Sequence, residues 1–188
     1  MKESAVSGTT PQMEELRARR RQAMERRARR AVRICATGCR ALGALDVHAV
    51  FEKEIAKAGL SRDVALVKTG CQGICAGAPV IGIDPEGILY VGAKPEDVPE
   101  IVRTTLVEGK VVERLCFQGP NGAIPKRADI PFFAAQKQLV LERCGRIDPT
   151  DIGAAVAEGA YEMLDRVLSG MSPQAVIDEV TASGLRGR

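Results

Sequence analysis

The chain has 188 residues, room for one medium domain with appendages or for two small domains. Hydrophobic residues make up 45% but aromatics only 3%, with no Trp, so any core must be aliphatic. The formal net charge is +3; no run approaches the roughly 20 apolar residues that span a bilayer, and the polar N-terminus lacks the apolar middle of a secretory signal. These features argue against a membrane span and against a disulfide framework. They lead to the expectation of a cytoplasmic protein whose six cysteines are ligands or buried thiols.

The charge is unevenly spread. Eight Arg and three Glu fall between Glu14 and Arg30, so this stretch carries +5 and the remainder −2. Residues 1–12 hold Ser, Thr, Gly and a Pro without hydrophobic period, and are expected as a disordered tail. Residues 13–30 hold good helix formers and no Gly or Pro, which predicts an Arg-rich helix. Its apolar stripe is thin: Met13, Leu16, Ala23, Met24 and Ala28. Such a helix is either a solvated face or a contact surface for an acidic partner, an anionic surface or nucleic acid. No aromatic is interleaved with the arginines, which weakens the reading of a single-stranded nucleic-acid surface.

Ala31 to Ile34 reads as a strand. Asp46 to Ala58 reads as a helix with Asp46 as cap, an apolar face through Val47, Val50, Phe51 and Ile55, and Gly59 as stop. Asp63 to Lys68 is a second strand and Pro79 to Ile83 a third. Asp84 to Gly87 is a turn, and Ile88 to Val91 is a fourth strand. Pro95 to Glu108 is a second helix, with Pro in its first turn and Gly109 beyond its end. The order over residues 31–109 is therefore β-α-β-β-β-α, an α/β domain. Residues 110–130 contain Gln118-Gly119-Pro120-Asn121-Gly122 and are expected as a linker. Residues 131–188 are expected as a separate, mostly helical region. Gln136 to Arg143 is ambiguous there, short helices cover Pro149 to Ala157 and Tyr161 to Leu168, and a helix capped by Ser172 runs to Thr181.

Two Cys-x-x-x-Cys pairs, Cys35 with Cys39 and Cys71 with Cys75, each follow a strand. A strand–helix–strand crossover is right-handed and parallel, so both loops leave the same sheet edge, where α/β sheets place ligands. Four converging thiolates suit a metal or iron–sulfur site. Structural zinc usually takes Cys-x2-Cys knuckles, and a thioredoxin-type disulfide takes Cys-x-x-Cys at a helix start; both spacings here are three. A [2Fe–2S] cluster needs two thiolates per iron and backbone N–H groups aimed at sulfur, which Thr37, Gly38, Gln72 and Gly73 can supply. His48 is the lone histidine, so a Rieske centre is excluded, while a four-iron cluster is not. Cys116 and Cys144 lie in apolar runs and are expected as buried thiols. A structural zinc or apo interaction module that uses the Arg-rich helix, and a thiol redox switch, stay open beside the electron carrier.

The cysteine loops within Val32 to Gly43 and Thr69 to Gly77 resemble the thioredoxin-like [2Fe–2S] ferredoxin domain. Ile130-Pro131-Phe132-Phe133, Cys144 to Pro149, Gly159-Ala160-Tyr161, Met171-Ser172-Pro173 and Ser183-Gly184-Leu185-Arg186-Gly187-Arg188 resemble the opening of the NADH-binding flavoprotein subunit of respiratory complex I. Related NAD-linked hydrogenases, formate dehydrogenases and electron-bifurcating complexes share these features. The resemblance implies a basic helix, a ferredoxin domain at 31–109 and the start of an NADH-dehydrogenase flavoprotein domain at 131–188. It also implies a [2Fe–2S] cluster on Cys35, Cys39, Cys71 and Cys75. In that family Gly-Leu-Arg-Gly-Arg runs on into the flavin loop, so FMN and NADH would belong only to the intact parent subunit, and the chain is expected to be a fragment, a truncated reading frame or part of a split subunit. Expected partners are the flavin and iron–sulfur subunits of a redox complex, with a homo-oligomer also compatible. The expected function is electron transfer within an NADH:acceptor oxidoreductase.

Overall fold

The computed structural model describes residues 11–25 and 30–187; the tail expected at 1–12 lies almost wholly outside the described residues, as does the expected helix at Arg26 to Arg29. The described part begins with α1 (Pro11–Glu25). The chain divides into two units. One comprises residues 27–150, and the other joins residues 1–26 with 151–188.

The larger unit is built on a four-stranded sheet. Its strands are β1 (Arg30–Cys35), β2 (Val64–Thr69), β3 (Val80–Asp84) and β4 (Ile88–Val91), in spatial order β2-β1-β3-β4. β1 and β2 are parallel, with Arg30 opposite Val64 and Cys35 opposite Thr69. β3 runs antiparallel to both β1 and β4. The expected α/β class is the one observed.

Between β1 and β2 the chain makes a 3-10 turn (Gly38–Leu42) and then α2 (Ala44–Lys57). α2 starts two residues before the expected cap, because Gly43 turns left-handed (φ 84°) and its carbonyl accepts from the N–H groups of Asp46 and Val47. Asp46 therefore sits in the first turn, where its charge opposes the helix dipole. Gly59 ends the helix as expected. The Leu60 N–H bonds the Ile55 carbonyl and the Gly59 N–H bonds that of Ala56, a Schellman ending. Val47, Phe51 and Ile55 face the sheet at helical spacing and are buried. Full burial of Phe51 stabilises by about 1.5–3 kcal/mol.

The helix expected from Pro95 to Glu108 is segmented. A 3-10 turn (Pro95–Asp97) leads into α3 (Val98–Ile101) and then a widened π turn (Val102–Val107). Asp97 accepts from the Lys94 N–H at 2.8 Å and caps the start. Residues 110–130, expected as a linker, instead form part of this body. The Gly- and Pro-rich stretch is the tip of a hairpin, β5 (Phe117–Gly119) with β6 (Gly122–Ile124). Its flanks bridge to β4 through Tyr90 with Cys116 and Ile88 with Lys126. Leu115, Cys116 and Ile130 are buried in the core cluster. After Ile130 comes α4 (Pro131–Ala134). Gln136 to Arg143 carries turns, neither helix nor strand.

In the second unit α1 packs against α5 (Ile152–Ala157). α6 (Glu162–Gly170) and α7 (Pro173–Ala182) follow, the latter capped by the Ser172 hydroxyl as expected. Arg17 donates to both carboxylate oxygens of Asp165, each at 2.7 Å, and Arg20 pairs with Glu162 at 3.0 Å. Part of the basic helix is thus engaged with acidic side chains of its own chain, and Met13 is buried. Among the described residues, no helix is long and apolar enough to cross a membrane.

Candidate metal centre

The sheet order explains how the cysteines meet. β1 ends at Cys35, and β2 ends beside it at Thr69, whose carbonyl accepts from the Ala36 N–H at 3.0 Å. Because β2 and β3 flank β1, the segment from Gly70 to Pro79 must cross over the end of β1. That crossing carries Cys71 and Cys75 over the loop of Cys35 and Cys39. Cys75 opens a 3-10 turn (Cys75–Gly77), and the Gly77 carbonyl accepts from the Gly92 N–H at 2.8 Å, pinning the crossing to the end of β4.

The thiols form two pairs. Cys71 Sγ and Cys75 Sγ lie 4.0 Å apart. Cys35 and Cys39 are within hydrogen-bonding reach of one another, and both are buried. The Gly73 N–H donates to Cys71 Sγ at 3.3 Å, which requires the left-handed backbone that Gly73 adopts (φ 92°). Thr37 Oγ1 lies 3.3 Å from Cys35 Sγ, and the Gln72 backbone N–H is also directed at that sulfur. Thr37, Gln72 and Gly73 therefore supply polar contacts to sulfur; among the described residues no such contact is seen from Gly38, the fourth residue expected to do so.

The electrostatics of the thiols differ. Burial raises Cys35, but the hydroxyl and N–H of Thr37, then Cys39 and the Gln72 N–H, outweigh it and hold the thiol below its ordinary value. Burial, then the neighbouring Cys35, pushes Cys39 up to about 12. The Cys71 hydrogen bond and charge raise Cys75. Four thiolates at this spacing repel one another, so ionising all of them calls for cationic charge between the loops. Among the described residues, no three His, Cys, Asp or Glu side chains are gathered to hold a single ion.

The remaining candidates are placed apart from this set or at its edge. His48 is half-buried on α2, with its pKa lowered by burial and then by Lys68. Cys116 is buried beside β4, as expected. Cys144 is only half-buried, and its sulfur lies 4.0 Å from where a Cβ on Gly70 would stand, next to the second pair. Its apolar run is exposed at Leu139 to Leu141, so it had no core to enter. Gln72 was expected only for its backbone N–H, yet its side chain is 3% exposed. A polar residue between two site cysteines was the available signal.

The [2Fe–2S] ferredoxin of Clostridium pasteurianum is 35% identical to this chain over 77 residues, which cover 41% of this chain and 76% of the ferredoxin. The [2Fe–2S] ferredoxin of Aquifex aeolicus is 37% identical over 78 residues, 41% of this chain and 70% of that protein. Through this stretch the chain belongs to the [2Fe–2S] ferredoxin family. Subunit HndC of the NADP-reducing hydrogenase of Solidesulfovibrio fructosivorans is 45% identical over 53 residues, 28% of this chain but 11% of that subunit. A solved thioredoxin-like [2Fe–2S] ferredoxin from Aquifex aeolicus superposes with a TM-score of 0.44 at 31% identity, covering 47% of this chain and 90% of that one. No family model matches the chain.

Proposed function

We propose that this chain carries single electrons on a [2Fe–2S] cluster held by Cys35, Cys39, Cys71 and Cys75. The observation that carries the reading is the pairing of the thiols, two from each loop, where the second loop crosses the end of β1. Two thiols per loop match two thiolates per iron. When bound, the cluster supplies a one-electron couple. The protein's part is to hold sulfur and to offset charge. The N–H groups of Gly73 and Gln72 and the hydroxyl of Thr37 point at ligand sulfurs and favour the more negative state. Burial of Cys35 and Cys39 keeps water from one side of the site, while the exposed Cys75 leaves the other side open for electron exchange.

We further propose that the chain works within an NADH:acceptor oxidoreductase, next to a flavin-bearing part that binds FMN and NADH and to other iron–sulfur subunits. Its similarity to a hydrogenase subunit supports this reading. Anaerobic reconstitution followed by metal and sulfide analysis and EPR of the reduced protein tests the cluster. About two iron and two sulfide per chain are expected. One zinc and no sulfide would replace this reading with a structural metal site. Cys→Ser at any of the four positions should lower the iron content, whereas Cys116→Ala should not.

A further inference from the structure

Beside the second cysteine loop lies a basic pocket that the proposed electron transfer does not use. It measures about 360 Å³, the size of a small-ligand site, and is lined by Arg33, Gln72, Asp84, Arg127 and Arg146. Gln72 points into it. Its side chain is 3% exposed, and Nε2 finds no hydrogen-bond partner among the described residues. A buried amide in this state has lost its water without gaining a replacement bond, so a ligand acceptor there would be favourable. Gly145, left-handed at φ 77°, backs onto the same side chain, and a Cβ there would stand 3.0 Å from Gln72 Oε1. The backbone thus approaches closely enough to hold the amide in place.

The charges do not balance. Among the described residues Asp84 is the one carboxylate in the lining, and it is engaged with Arg33, whose Nε also donates to the Arg146 carbonyl at 2.8 Å. The Arg127 guanidinium lies over the Phe133 ring, 4.5 Å from its centroid. Among the described residues no carboxylate pairs with Arg127 or Arg146, and the nearby Glu86 is engaged with Arg30. Arg127 and Arg146 repel each other, and burial with that repulsion lowers Arg127 below the ordinary guanidinium value.

We propose that this pocket binds the phosphate group of a small molecule, with Arg127 and Arg146 as charged donors and Gln72 Nε2 as the neutral one. Guanidinium forks match tetrahedral oxyanions in geometry as well as charge. The pocket has room beyond a single phosphate, so a phosphate monoester fits it as well as the free ion.

The test is calorimetric titration of the full chain with inorganic phosphate, phenyl phosphate and acetate, at constant ionic strength in chloride. It is run on metal-free and on reconstituted protein, so the result stands apart from that for the cluster. Phosphate should bind at least about tenfold more tightly than acetate, and tighter binding of phenyl phosphate identifies a monoester as the occupant. Arg127→Gln and Arg146→Gln should each weaken phosphate binding at least about tenfold with unchanged circular dichroism, and Arg146→Lys should recover part of the loss. Arg103→Gln, outside the pocket, should leave binding unchanged. Phosphate bound no more tightly than acetate, or an equal loss in Arg103→Gln, would overturn the proposal.

Discussion

Tyr90 and Thr105 meet hydroxyl to hydroxyl at 2.6 Å inside the larger unit, and the Val112 N–H donates to the same tyrosine oxygen at 3.0 Å. One oxygen thereby joins β4, the π turn and the segment that was expected to be a linker. Tyr90→Phe removes that oxygen and leaves a buried N–H and a buried hydroxyl short of a partner. A loss of about 1–3 kcal/mol is expected, with the ring's packing retained. Urea unfolding of the two proteins, with unchanged slope, checks it; no shift in midpoint would mean that water replaces the bond.

Gly77 is expected to be irreplaceable for a steric reason. A Cβ there would stand 2.9 Å from Val91 Cγ1 and 3.0 Å from Val91 Cβ, and a branch-point carbon held in a strand cannot swing away. Gly77→Ala should cost about 1–3 kcal/mol and shift the crossing loop off β4. The double variant Gly77→Ala with Val91→Ala should recover most of the loss, read from thermal unfolding.

Cys116 gives a pH dependence with a definite sign. Burial, then Glu113, pushes its thiol up to about 11. A raised value in the folded state means that the neutral thiol is preferred there. Its contribution to stability is fully present below the ordinary thiol value of about 8.5 and is lost as the pH rises towards about 11. Thiolate absorbance of the metal-free chain, minus that of Cys116→Ala, should show a step centred near the upper end of this window. A step at the ordinary value would contradict the burial.

In the second unit, the Ser172 hydroxyl accepts from the Ala175 N–H at 3.2 Å and caps α7. Ser172→Ala should cost about 0.5–2 kcal/mol and Ser172→Asp much less, measured by loss of helical circular dichroism on heating.

Much of the local structure was legible in the chain. Alternating β-branched runs marked all four main strands to within a residue or so, and Gly59 marked the end of α2 because the left-handed turn there suits glycine. The parallel pairing of β1 with β2 followed from the crossover. The place of β3 did not, because Val80 to Asp84 reads the same whether it lies beside β2 or β1. The turn chemistry at Gln118 to Gly122 was recognised, but a hairpin tip and a linker share that chemistry, and only the bridges to β4 separate them. The start of α2 was missed because Gly43, read as part of the loop, supplies the cap through its carbonyl. The meeting of Arg33, Gln72, Arg127 and Arg146 depends on contacts between residues far apart in the chain, which no local pattern encodes.

The parallel pairing of Cys35 with Thr69 has a consequence for how such chains should be compared. The two cysteine loops leave from adjacent strand ends one strand spacing apart, about 4.8 Å, whatever the length of the helix that links the strands. The count of residues between the cysteine pairs therefore measures the crossover and carries no information about the site. Lengthening the turn after Gly59 would rewrite the motif as a text pattern and leave the donors where they are. A search keyed to that interval would discard proteins with the same centre, whereas one keyed to the two pairs and the strand before each would keep them.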